Sequence, residues 1–102
     1  MESTLHIQER KDRVSFIKET IGVGKPVRTF LVDKGHPNGP ELHTVTTTGI
    51  IVIHNARTKK LVTLLIARPG QVERYWKNLS LEAPIELMEI ARNHQIAGYN
   101  YK

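Results

Sequence analysis

The connections between residues 27 and 68 are too short for anything but hairpins. Val27 to Val32, Leu42 to Thr47, Ile50 to Ile53 and Leu61 to Arg68 are short, β-branched runs of the kind that form strands. A Gly/Pro/Asn cluster from Lys34 to Pro40, the pair Thr48-Gly49 and a polar turn from Asn55 to Lys60 separate them. Parallel neighbours would need a crossover of a dozen or more residues, so these four runs form an antiparallel meander. Ile50-Ile51-Val52-Ile53 is apolar at every position, which places it inside the sheet rather than at an edge.

The chain on either side of the meander has a helical period. From Leu5 to Ile21, Val14, Ile17 and Ile21 fall at i, i+3 and i+7 with Phe16 alongside and charges elsewhere, an amphipathic stripe. Gly22 supplies the stop. Pro69-Gly70 ends the sheet, and Gln71 to Trp76 forms a short helix. Ser80 caps a further helix, whose first turn tolerates Pro84. Leu87, Ile90, Ala91 and His94 make its apolar stripe, and Gly98 ends it. The expected architecture is α+β: an N-terminal helix, a four-stranded antiparallel β-meander and C-terminal helices, with the helices of both chain ends on one sheet face. A length of 102 residues, with no repeat or linker, makes 1–102 a single domain.

Composition narrows the function classes. There are no cysteines, so disulfides and zinc–thiolate sites are excluded, and a reducing compartment is compatible. Met1 to Arg13 is polar, without the apolar core of a signal peptide. No apolar run approaches the ~20 residues of a membrane-spanning helix. A soluble, cytoplasmic protein with no membrane partner is the expectation. The net charge of +5 is unevenly placed: residues 25–77 hold nine Lys and Arg against three Asp and Glu, a net of +6, while the flanks are neutral or slightly acidic. A localised positive field suits a phosphate-rich partner, and RNA is favoured.

The residues that bear chemistry gather in GHPNGPELHTVTTTG, from Gly35 to Gly49, where His36, Glu41 and His43 stand close together. Glu41 and His43 share one strand face, but the spacing with His36 fits no standard metal motif, and neither a metal nor another cofactor is expected. There is no Ser-His-Asp pattern, phosphate-binding loop or dinucleotide fingerprint. Acid–base chemistry fits better, because an unperturbed histidine, with a pKa of roughly 6.5, exchanges protons near neutral pH.

Placing His43 requires a register. With Arg57-Thr58 at the tip of the third hairpin, Ile53 opposes Val62 and Ile51 opposes Leu64 on the helix-covered face. Val52 then opposes Thr63, and His54 opposes Leu61, on the other. Strand two has two registers. A two-residue Thr48-Gly49 loop puts His43 beside Thr63 and His54, whereas a three-residue loop with left-handed Gly49 flips every side chain. Leu42 and Val45 divide on the question. The open face is favoured for His43, because burying it with Glu41 would desolvate two titratable groups.

On that reading the expected catalytic set is His43 as base, with Thr63 and Arg68 to stabilise charge on phosphorus. Lys34, His36, Arg57, Lys59 and Lys60 would hold phosphates. Such a set serves RNA cleavage by 2′-OH attack, in which the substrate carries its own nucleophile. The stretch GIIVIHNARTKKLVTLLIARP, preceded by His43 and a leading helix, resembles the barnase/RelE-like bacterial ribonuclease-toxin superfamily over about Val27 to Pro69. The resemblance implies a metal-independent, toxin-like endoribonuclease that leaves a 2′,3′-cyclic phosphate. The rival expectation is a non-catalytic adaptor of a phage or mobile element that binds nucleic acid or a protein, with Tyr75, Trp76, Tyr99 and Tyr101 as contact aromatics. A protein inhibitor or partner is compatible with either.

Overall fold

The structure is a computed structural model that describes residues 11–99. The expected first turns of the leading helix and the tail from Asn100 to Lys102 lie outside the described residues. Four strands follow one another in the sheet in chain order: β1 (Pro26–Val32), β2 (Glu41–Thr46), β3 (Ile50–Asn55) and β4 (Leu61–Ile66), all antiparallel. Helix α1 precedes them, α-helical over residues 11–16 and π-helical over Ile17–Ile21. Helices α2 (Pro69–Lys77) and α3 (Ile85–Ile96) follow. The meander and the α+β class are as the sequence predicts. Two boundaries differ. Pro69-Gly70 opens α2 instead of merely ending the sheet, and α3 starts after Pro84, while Ser80 sits in the preceding turn with φ +58°.

Strand β3 explains how the layers are arranged. Its neighbours Ile50 and Ile51 point to opposite faces, yet both are 0% exposed, so both faces of the sheet are covered. Val45, Ile51 and Ile53 pack with Val72 and Trp76 of α2 and Leu87 and Ala91 of α3. Ile50, Leu64 and Ile66 pack with Ile17 of α1, and Val14, Ile21 and Val52 close that cluster. The C-terminal helices thus share a face, but the leading helix takes the opposite one, which corrects the expectation of a single covered face. The physical reason is written in the third strand. A run of four apolar residues needs a cover on each side, and each isoleucine so buried contributes about 1.5–3 kcal/mol.

Turn geometry sets the registers. Thr47-Thr48-Gly49 is a three-residue connection, with Gly49 left-handed at φ +76°. The Thr48 hydroxyl bonds the carbonyls of Gly22 (2.7 Å) and Val23 (2.8 Å), and His94 Nε2 donates to the Thr48 carbonyl (2.7 Å). This turn therefore ties the end of α1 to α3. His43 pairs with Ile53, and so lies on the covered Ile51/Ile53 face, not the open face favoured above. In the third hairpin His54 opposes Leu61 as expected, but an irregularity next to it leaves Val62 unpaired. Every later partner moves by one, so that Ile53 meets Thr63, Val52 meets Leu64 and Ile51 meets Leu65.

The two sheet edges differ. On β4, Arg13 Nε donates to the Leu64 carbonyl (3.1 Å) and Nη2 donates to Thr63 Oγ1 (3.2 Å), so a helix side chain occupies this edge. At the other edge, β1 borders a cleft beneath α2.

Candidate functional site

Helix α2 presents two stripes. Val72 and Trp76, four apart, go down into the core, both at most 5% exposed. Gln71, Arg74, Tyr75 and Asn78 repeat at i, i+3, i+4 and i+7 and turn toward the β1 edge. Opposite them, Arg28, Phe30 and Val32 alternate along β1 on the same sheet face as His43, as the pairings Arg28–Val45, Phe30–His43 and Val32–Glu41 show. Between the two elements lies a cleft of about 400 Å³, lined by these groups together with Lys34 and His43.

Aromatic packing fixes the cleft floor. Phe30 stacks on Tyr75 with ring centroids 5.0 Å apart and an interplanar angle of 24°. It meets Trp76 edge-on at 4.8 Å and 71°, both favourable arrangements for such pairs. The Arg28 guanidinium lies 5.9 Å above the Phe30 ring, a cation–π distance. Tyr75 is thereby held with its hydroxyl against His43.

A hydrogen-bond chain leads on from that hydroxyl. His43 Nδ1 and the Tyr75 hydroxyl are 2.5 Å apart, and His43 Nε2 is 3.0 Å from Glu41 Oε1. Burial pushes the Tyr75 phenol up from 10.0 to about 12, helped by the negative Glu41 and opposed by Arg74. The phenol keeps its proton at neutral pH, and against a neutral imidazole it donates to Nδ1. Nε2–H then donates to the Glu41 carboxylate, so the network selects the Nε2-protonated tautomer. His43 is 7% exposed. The desolvation cost that argued against burying it with Glu41 is met by these two hydrogen bonds, and the Glu41 side chain keeps 32% of its surface in solvent.

The expected site residues separate into three groups. His43 and Lys34 line the cleft. Thr63 shares a sheet face with His43 but lies two strands away across Ile53, where its hydroxyl accepts from Arg13. Arg68 is the exposed residue before α2, with its backbone N–H on Gln71 Oε1 (3.4 Å). Neither Thr63 nor Arg68 lines the cleft. His36, Arg57, Lys59 and Lys60 sit in the loops at the sheet end. There Ala56 N–H donates to the Pro40 carbonyl (2.9 Å), and Arg57 lies across Gly39, where an added Cβ would meet its Nε at 2.7 Å. All four are exposed. Among the described residues, no three His, Asp or Glu side chains gather into a group that could hold a metal ion, so His36 does not join Glu41 and His43.

The sequence reading did not select Arg28, Gln71, Arg74 or Asn78, and it gave Tyr75 only a contact role. The polar stripe of α2 was the readable signal, since a short helix with polar groups at i, i+3, i+4 and i+7 beside its apolar stripe has a second face to use. Arg28 carried no such signal. Among the described residues, no helix is long and apolar enough to cross a membrane. In comparisons with protein-family models, curated proteins and solved structures, the chain matches none of them.

Proposed function

We propose that the cleft between β1 and α2 binds RNA and cleaves it without a metal, by attack of the 2′-OH on the adjacent phosphorus. The observation that carries this reading is His43, backed by Glu41, in a cleft whose charged lining residues are cationic. Among the described residues, Arg28, Lys34 and Arg74 line it, and no carboxylate does. Those cations attract the phosphodiester and offset the negative charge that grows on its oxygens in the transition state. An imidazole can serve as the proton acceptor of this step, and the carboxylate beside it stabilises the imidazolium that forms. The resemblance of the meander segment to the barnase/RelE-like ribonuclease toxins supports the same chemistry. Thr63 and Arg68, outside the cleft, have no part in it on this reading.

A second reading has its own support. Both ring nitrogens of His43 already have partners inside the protein, as those of a histidine that only completes a core do. On that reading the cleft holds a nucleic-acid strand without turnover, and the protein is an adaptor. A short RNA and its all-deoxy counterpart, each incubated with the protein in a chelator, distinguish the two. The ribonuclease reading requires cleavage of the RNA alone, with a 2′,3′-cyclic phosphate on the product. Equal binding of both strands with neither cut would leave the adaptor.

A further inference from the structure

The ring of His43 has no nitrogen left to meet a substrate: Nε2 faces Glu41 and Nδ1 faces Tyr75. Resting on the ribonuclease reading above, we propose that Tyr75 is the catalytic residue that receives the 2′-OH proton, and that His43 and Glu41 act through it. Tyr75 lines the cleft, and its ring is fixed by the stack on Phe30. A phenolic oxygen that donates its own proton to Nδ1 still has lone pairs to accept another. Arg74, next along α2, and Arg28, across the cleft, stand ready for the phosphate.

The step balances in protons and bonds. The 2′-oxygen gives its proton to the Tyr75 oxygen while the Tyr75 proton passes to His43 Nδ1. The 2′-oxygen forms its bond to phosphorus and the bond from phosphorus to the 5′-oxygen breaks. The departing 5′-oxygen takes a proton from water in the open cleft. His43, now an imidazolium held by Glu41, returns its extra proton to solvent through Tyr75. A neutral phenol is a poor base alone, but here the proton ends on an imidazole. Burial holds the phenol proton until that transfer.

Tyr75→Phe keeps the stack on Phe30 and removes only the hydroxyl. It should lower kcat on a short RNA by about 10²–10³-fold, the scale of a lost proton acceptor, and leave RNA affinity nearly unchanged. A structural role would not move a pH profile, so 3-fluorotyrosine at position 75, with its more acidic phenol, is the second measurement. It should shift the alkaline limb of kcat to lower pH. If the parent cleaves RNA and Tyr75→Phe cleaves it equally fast, or if the alkaline limb does not move with fluorination, the assignment to Tyr75 is overturned and the ribonuclease reading stands. A parent that cleaves no RNA overturns both.

Discussion

Tyr75 holds its proton into conditions where a free phenol has lost it, and this has a consequence for stability. Its pKa is raised from 10.0 to about 12, first by burial and then by the charge of Glu41. The folded protein binds this proton more tightly than the unfolded chain does. The resulting stabilisation is complete below pH about 10 and disappears as pH rises through about 12. Urea unfolding of the parent should therefore weaken more between pH 10 and 12 than that of Tyr75→Phe, which has no phenol to ionise. Parallel pH dependences would mean that the phenol ionises as easily in the fold as outside it. His43 stood out as a candidate by its residue type and by Glu41 two positions away. Its face was not legible, because the tyrosine that offsets the desolvation of His43 and Glu41 lies 32 residues further on.

At the scale of elements, the Thr47-Thr48-Gly49 turn decides which face β2 shows to the helices. The choice was invisible locally, since both loop lengths are chemically allowed and Leu42 and Val45 pull in opposite directions. The contacts that settle it are long-range: Thr48 with Gly22 and Val23, and His94 with the Thr48 carbonyl. The unpaired Val62 in β4 was hidden for the same reason, as nothing in Leu61-Val62-Thr63 marks an extra residue. Gly49 is the sensitive point of the turn. It is left-handed, and a Cβ there would stand 2.9 Å from Ile90 Cγ2 of α3. Gly49→Ala should cost about 1–3 kcal/mol, read as a lower denaturant midpoint with an unchanged slope. A stability equal to the parent's would mean that α3 yields at this contact.

For the whole molecule, the order of strands and helices was legible because short hairpin connections leave few topologies. The side of the sheet taken by α1 was not recognised, although the apolar character of β3 on both faces contained it. The positive charge of the central segment divides in space. Arg28, Lys34 and Arg74 line the cleft, whereas Arg57, Lys59 and Lys60 occupy the loop at the end of β3. A net charge count cannot show that division, which arises from folding residues 28 and 74 against each other.

On the proposed chemistry, the His43 imidazole in this cleft drives RNA cleavage by accepting a proton. The most direct test is the turnover of His43→Gln against the parent on one short RNA, in the presence of a chelator and at a temperature where thermal melting shows both folded. Glutamine occupies similar space, accepts from Tyr75 and donates to Glu41, but cannot take up a proton. The parent should cleave, and His43→Gln should lose about 10²–10⁴-fold in kcat with RNA affinity retained. A folded His43→Gln protein that cleaves as fast as the parent would contradict it.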